Sequence, residues 1–522
     1  MSVRSEGDKD RSRFGRNFLH LALGTAFSRG IGFIRELGTA AWVGGGPAMD
    51  RFVVAFTIPA LFRRVFGEEM VERALMPPVK RAYSTGEIRR SWSIAWQFGL
   101  VFLATLILIF AILWLNAGIF IRLIGPGILK RDGIESLIPL VRLLLPFMII
   151  IGAAAFTGGI ILYGESVRIY SLAPAGLSIG VIAVLLIKGA ASDARTLSIG
   201  FLAGAAIHFF ILVGVIISPS YRRKHRVSWN LRPGPTVAEA RCTGAQSIWV
   251  FFQSLAQKSV EIVDRRLAST LATGSVSALW FAVRLVQLPE AIIGLAAGRA
   301  GLAAMAEKHA KGHEQELSRL VHDIVERTTL IVVPITVFCC IASRDITSVV
   351  YKRGAFGEEQ VTVAAWAFLF YSLGLPGLAY TSVLSRFHAV CSRNGFSLLV
   401  TGIISIMNII LNYILVRTSL VHGGIALATS ISFTVGAMAL WWGFSRWVRH
   451  GDHVASIIRC FRIIITWTAI GAILIPLHRW TTRFRLPEIS MLDLSSLVRL
   501  CFIAAIMVII FRVLQRFSYG RW

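Results

Sequence analysis

The stretch "FSRGIGFIRELGTAAWVGGGPAMDRF", Phe27 to Phe52, places Arg29, Arg35, Glu36 and Asp50 within an apolar region. Arg63 and Arg284 sit in later apolar segments. An arginine at the centre of a membrane helix costs ~2.5–3.5 kcal/mol on insertion scales, so such residues normally face a cavity, a partner or the interface. Guanidinium groups stay charged when desolvated and pair bidentately with phosphate oxygens. Several arginines inside apolar segments therefore fit an anionic, phosphate-bearing substrate. At ~100° per residue, Arg29 and Arg35 lie ~120° apart around one helix. Both can border one wide cavity, but both cannot snorkel to the same nearby end. Gly30 and Gly32 lower helix propensity beside Arg29 and permit bending or close helix approach. Packing alone would also account for them.

Other charges have plainer readings. Glu69 and Arg73 are spaced as a helix-surface ion pair. With Arg64, Glu68 and Glu72 they fit the solvated end of the second helix. Arg51 follows the turn and reads as interfacial, and Arg299 can snorkel to the interface.

These residues must be positioned by membrane helices. Of 522 residues, 55% are hydrophobic and 16% charged, against ~45–50% and ~25% in soluble domains. The mean hydropathy is +0.68. Apolar runs of ~20 residues, the length needed to span the hydrocarbon core, recur along the whole chain. They predict an all-α polytopic membrane protein with about 14 transmembrane helices by that criterion. A β-barrel would give short alternating segments instead. The net charge of +26 lies mostly in short connections and needs no nucleic-acid partner. The six cysteines show no metal spacing and no disulfide framework, and behave as small packing residues.

"VKRAYSTGEIRRS", "YRRKHRVSWNLRPGP", "AEKHAKGHEQ" and "SRWVRHGDH" share the basic character of the two termini. The positive-inside rule puts all of these, and both termini, in the cytoplasm. Two opposite-side loops, "ASRDITSVVYKRGAFGEEQ" and "HRWTTRFRLPE", are basic as well. The polar start reads as an uncleaved cytoplasmic tail, since the apolar segment after it is too long and too charged for a signal peptide. "VDRRLASTLATGSVSALWFAVRLVQLP" echoes "IRELGTAAWVGGGPAMDRFVVAFTIP": a charged helix, a Gly/Ser turn, then a helix reaching a proline. Paired halves are a common transporter architecture. The expected organisation is a cytoplasmic basic tail (1–16), an N-lobe of helices 1–6 (17–222), a C-lobe of helices 7–12 (223–450) and helices 13–14 (451–522).

At "SRGIGFIRE", "GGGPAMDRFVVAFTIPALFRRVFGE", "ATGSVSALWFAVRLVQLP" and "YKRGAFGEE" the sequence resembles the MurJ/MviN family of lipid II flippases, within the multidrug/oligosaccharidyl-lipid/polysaccharide (MOP) exporter superfamily. The likeness covers nearly the whole chain. It implies a MOP/MATE-like fold, two six-helix lobes plus two C-terminal helices. It also implies a substrate-binding cavity with Arg29, Arg35, Arg63 and Arg284 on the pyrophosphate, and Glu36, Asp50 and Glu68 supporting or gating. A cation site, possible for Na⁺, maps onto Asp264, Asn408, Asn412 and Thr429. Asn408 and Asn412 stand one helical turn apart, and hard cations prefer oxygen ligands. Helix packing by amides is the alternative. The sequence departs from the family where acidic residues usually flank the helix-eight arginine: Val283 and Gln287 stand there. It departs again at charged "EEMVERALMP", and at Asn412, where an Asp is expected.

The resemblance implies a transporter rather than an enzyme. It would move undecaprenyl-pyrophosphate-linked peptidoglycan precursor, lipid II, across the bacterial inner membrane by alternating access. No resident cofactor is expected; the drive would be Na⁺ coupling or the membrane potential, and the protein a monomer. Another polyprenyl-pyrophosphate glycan, or a cation-coupled export substrate, is the alternative. A drug exporter would favour an acidic, aromatic cavity. A membrane enzyme would need paired carboxylates or a His/Asp site in a sizeable loop, whereas His208, His388 and His422 stand apart in sequence. No nucleotide-binding P-loop motif occurs.

Overall fold

A computed structural model describes residues 3–163, 167–448, 452–481 and 493–518, and their side chains except at 3–22, 67, 68, 162, 163, 167, 256, 257, 292–300 and 513–518. The expected tail (1–16), residues 482–488 of the loop "HRWTTRFRLPE", the C-terminal "QRFSYGRW", Arg299 and Glu68 lie wholly or in their side chains outside the described residues. Among the described residues the fold is helical, with one isolated bridge between Arg353 and Phe356. Two compact units divide the chain, Met1–Ile262 and Val263–Trp522.

The first unit opens with α1 (Val3–Val43) and α2 (Pro47–Phe62), which runs on into a π-helix (Arg63–Leu75) and α3 (Met76–Ser84). Gly44 makes the α1–α2 turn at φ +76°, a backbone region that suits glycine, and Pro47 starts α2 with its fixed φ. After α4 (Ile88–Leu115) come three short helices, α5 (Ala117–Ile124), α6 (Pro126–Asp132) and α7 (Ile134–Leu144). Then follow α8 (Pro146–Tyr163), α9 (Val167–Leu172), α10 (Pro174–Lys188), α11 (Ala194–Ile217) and α12 (Pro219–Lys224). Asp193 caps α11: its carboxylate accepts from the Thr196 N–H at 2.7 Å, which holds its pKa below the ordinary value against the opposing effect of burial. Helix α10 packs on α11 so closely that a Cβ on Gly180 would lie 2.3 Å from the Gly204 Cα. Phe52, Phe56, Phe147 and Phe201 stack into a buried aromatic core between α2, α8 and α11. Such rings carry a large apolar area each, so this cluster sets where α2 sits.

Helix α13 (Val237–Ser269) contains the division between the units. The second unit continues with α14 (Ser275–Ala310), α15 (Glu314–Ile341), α16 (Ser343–Tyr351), α17 (Glu358–Leu373), α18 (Leu375–Val390), α19 (Asn394–Leu415), α20 (His422–Trp447), α21 (His453–Thr481) and α22 (Leu494–Ser518). One core joins α15, α18, α19 and α20 through Val321, Val383, Phe387, Val400 and Phe444. A second seats α21 and α22 on α15 and α18 through Val332, Leu375, Trp467 and Met507. A polar knot adds to it. Arg499 donates to Asp345 Oδ1 from Nε at 3.0 Å and Nη2 at 2.7 Å, Ser496 Oγ donates to the same oxygen, and Asp493 caps α22 through the Ser496 N–H.

Among the described residues, nine helices are long and apolar enough to cross a membrane, or ten if α17 and α18, bent by 43°, form one span. Fourteen is not reached by apolar length alone. The long helical segments that fall outside this criterion are α1, α2 with its π-helix, α13 and α14. They carry the candidate arginines and Asp264, and the criterion applies to α1 and α14 only outside residues 3–22 and 292–300. The two echoing stretches share a turn geometry. Gly44 and Gly274 both take positive φ at helix–helix turns, and each is followed fifteen residues later by a proline inside the next helix, Pro59 and Pro289.

Candidate functional site

In the first unit, α1 brings Arg35 against two different partners. Its Nη2 donates to Glu36 Oε1 at 2.6 Å, and its guanidinium carbon lies 5.3 Å from the centroid of Phe201. Glu36 is buried, while the Arg35 side chain retains 14% exposure. The Arg35 Nε is buried with no hydrogen-bond partner among the described residues. Arg35 is thus held by an acceptor and an aromatic ring that together leave its Nε–H unpaired among the described residues. Arg29, two turns earlier, is exposed. Gly30 has open space where a Cβ would project and Gly32 meets only Ser178 at ordinary contact distance, so close packing does not call for either glycine. The tight approach on α1 is at Gly24, whose Cβ would overlap Ser171 of α9.

Asp50, in the first turn of α2, is buried and faces Arg131 of α6 at 3.8 Å. Arg131 also holds Asp132 at 3.0 Å, and Asp132 accepts from Arg51 at 3.4 Å. This four-charge cluster fastens the α1–α2 turn to α6. Its α6 half was not legible in sequence, because the partners lie 81 positions apart and share no periodicity.

Arg63 opens the π-helix, half-buried, within electrostatic reach of His208 on α11. π-Helical segments widen the turn and cluster at functional sites. Here the segment takes up the charged "EEMVERAL" run. Glu69 accepts from Ser254 Oγ of α13 and pairs with Arg73 at 3.8 Å, as their spacing suggests. Arg64 pairs with Glu261 of α13 at 3.3 Å. The end of the second helix is therefore bonded to α13 and not simply solvated.

In the second unit, Arg284 of α14 donates from Nη1 to Gln287 Oε1 at 3.0 Å and lies 4.4 Å from the Trp280 ring centroid. Gln287 supplies a neutral acceptor. Arg265 of α13, buried, approaches the same ring at 5.8 Å.

Asp264, Asn408, Asn412 and Thr429 do converge. Asn412 Nδ2 donates to Asp264 Oδ1 at 2.6 Å and to Asn408 Oδ1 at 2.8 Å, and Asn408 Nδ2 donates to Thr429 Oγ1 at 3.0 Å. Both asparagines are buried, and Asn412 Oδ1 has no partner among the described residues. An orphaned buried acceptor costs ~1–3 kcal/mol. Rotating the Asn412 amide would turn that oxygen toward Asp264 and Asn408 and make an all-oxygen set. The residues thus fit a hard cation in chemistry. No group of three or more His, Cys, Asp or Glu among the described residues could hold a metal.

Of the histidines, His388 meets the Leu440 carbonyl at 3.1 Å and His422 that of Val363 at 2.9 Å. A pair the sequence does not flag joins α15 to α21, His322 Nε2 to His453 Nδ1 at 3.0 Å.

A polytopic helical bundle with arginines inside apolar segments and buried amides on α19 has the fold of known membrane transporters. Solved structures share that fold. "Lipid II flippase MurJ, inward closed conformation" matches with TM-score 0.73 and 22% identity over 95% of this chain and 99% of that one. A multidrug resistance MATE family transporter of the MOP superfamily matches with TM-score 0.62 and 16% identity over 79% and 93%. The family profile "Lipid II flippase MurJ" matches residues 39–494, and the chain belongs to that family. Curated relatives named "Probable lipid II flippase MurJ" include one from Rickettsia prowazekii, 25% identical over 92% of this chain and 94% of the relative. Another, from Rhizobium meliloti, is 26% identical over 95% and 93%.

Proposed function

We infer that this chain is a lipid II flippase. It moves the undecaprenyl-pyrophosphate-linked peptidoglycan precursor from the cytoplasmic to the periplasmic leaflet of the bacterial inner membrane. The reading rests on family membership, and one observation carries its chemistry: Arg35 held on Glu36 and Phe201 with a buried Nε donor left over. Arg29, Arg35, Arg63 and Arg284 bind the pyrophosphate, with guanidinium forks matched to its oxygens. Glu36 holds Arg35, and Asp50 fixes the start of α2 through Arg131. The side-chain contacts of Glu68 lie outside the described residues.

The protein works as a monomer by alternating access, with both termini in the cytoplasm, and performs no covalent chemistry. Asp264, Asn408, Asn412 and Thr429 would hold Na⁺, which would supply coupling to the ion gradient. The inside-negative potential contributes as well, because outward movement of anionic charge gains ~2.3 kcal/mol per charge per 100 mV. The test is lipid II translocation in proteoliposomes, together with complementation of a strain depleted of its lipid II flippase. Arg29→Ala or Arg35→Ala is expected to lower flipping at least about 10-fold, consistent with loss of one charge-assisted contact, while the protein still inserts. Wild-type flipping in either variant would sink this assignment of the arginines. Failure of the well-expressed wild type to complement would favour another polyprenyl-pyrophosphate glycan.

A further inference from the structure

We propose that Trp280 is a positioning residue that holds Arg284 in its headgroup-binding orientation. The proposal rests on reading Arg284 as a pyrophosphate ligand.

Trp280 and Arg284 are four residues apart on α14, which puts them on one face a turn apart. The guanidinium carbon lies 4.4 Å from the indole centroid. The indole is itself fixed, since only 8% of Trp280 is exposed. Arg265, also 8% exposed, donates from Nη1 to the Val276 carbonyl at 3.4 Å and lies against the same ring at 5.8 Å. Val276 and Trp280 are likewise one turn apart, so Arg265 clasps α14 at two successive turns. A buried ring therefore stands against the long Arg284 side chain.

This kind of support suits an anion-binding arginine. A carboxylate partner would occupy N–H donors and cancel charge, whereas a ring attracts the cation through its quadrupole and uses no donor. Here the residues beside Arg284 are Val283 and Gln287. The Gln287 oxygen takes a single hydrogen bond and carries no charge. The indole and the amide thus orient the guanidinium plane, and the indole does so without using an N–H donor.

Core packing of Trp280 is the competing explanation, and a double-mutant cycle separates the two. The full chain is placed in lipid nanodiscs and its dissociation constant for purified lipid II is measured for Trp280→Leu, Trp280→Phe, Arg284→Ala and the Trp280→Leu/Arg284→Ala double variant. Trp280→Leu is expected to weaken binding about 5- to 30-fold, the range of a partly to fully desolvated cation–π contact. Trp280→Phe keeps a π face and should lose about 3-fold or less. The double variant should bind no more weakly than Arg284→Ala, because Trp280 acts through that arginine. Two results overturn the positioning role alone. One is a normal dissociation constant in Trp280→Leu when Arg284→Ala binds weakly; the other is full additivity in the double variant. A normal dissociation constant in Arg284→Ala overturns the arginine's headgroup role and the proposal together. If Trp280→Leu does not yield folded protein, the Phe variant decides alone: a loss as large as that of Arg284→Ala would count against positioning by the ring.

Discussion

At the scale of the residue, each site group is defined by what sits beside it. Arg35 is matched by a carboxylate and a phenyl ring, Arg284 by an amide and an indole. The Glu36 carboxylate at 2.6 Å both fixes the Arg35 side chain and offsets its charge before an anion arrives. The buried amides pose a sharper problem. Asn412 donates to Asp264 while its own oxygen is orphaned, an arrangement that a cation would relieve if the amide turned over. Replacing Asn412 by Asp puts a second carboxylate within hydrogen-bond distance of Asp264. Two such carboxylates cannot both ionise without a counter-charge. Asn412→Asp is therefore expected to melt several degrees lower than wild type in choline buffer at pH 8 and to recover on adding NaCl. The wild type should gain a smaller shift from the same addition. Thermal melts of both proteins across a NaCl titration, at fixed ionic strength with choline chloride, check this. Equal melts with and without Na⁺ would remove the cation site.

Among the elements, the polar fastenings lie at helix ends and the apolar ones along helix faces. Helix α22 is seated by Trp467, Ile503 and Met507 along its length and by Asp493, Ser496 and Arg499 at its start. Burial pushes the Asp493 carboxyl up, but hydrogen bonds from Ser495, from the Ser496 side chain and backbone, and from Ser348 outweigh it and hold its pKa well below the ordinary carboxylate value. A depressed folded-state pKa contributes stability that is present above the unfolded value and lost as pH falls toward the folded one. With an unfolded value of ~3.9, the stability gap between wild type and Asp493→Asn should be constant above about pH 5 and shrink below about pH 4. Melting curves of both proteins from pH 7 to pH 3 read this directly. A gap that widens with acid would contradict the capping role. The same elements show why sequence reached some features and not others. Apolar length marked α4, α10, α11 and α19, and the charges within α1, α2 and α14 stood out because they break apolar runs. Glu69 with Ser254, Asp50 with Arg131 and Arg265 with Trp280 were invisible, since nothing local marks a partner brought in by tertiary packing. The π-helix after Phe62 was missed for a related reason. Its extra residue per turn has no compositional signal, and only the crowd of charges from Arg63 to Arg73 hints at it.

For the molecule as a whole, the helix–turn–helix around Gly44 and that around Gly274 give each unit one segment with charged side chains inside an apolar run. The first carries Arg35 and Asp50, the second Asp264 and Arg284. On the proposed mechanism a loaded site would carry anionic headgroup charge outward, and an emptied one would return with its arginines uncovered. An inside-negative potential favours both movements, by ~2.3 kcal/mol for each charge that crosses the full field at 100 mV. If the displaced charge crosses half of that field, the rate-limiting reorientation changes by roughly 7-fold per charge. Proteoliposomes with a K⁺ gradient and valinomycin should therefore flip lipid II several-fold faster at an inside-negative potential than after the potential is collapsed. The gain should shrink in Arg35→Lys less than in Arg35→Gln, because the lysine keeps the charge that moves in the field while losing the planar fork. A rate indifferent to the potential, at constant Na⁺ on both sides, would leave the ion gradient as the drive and shift the coupling onto Asp264 and its amide neighbours.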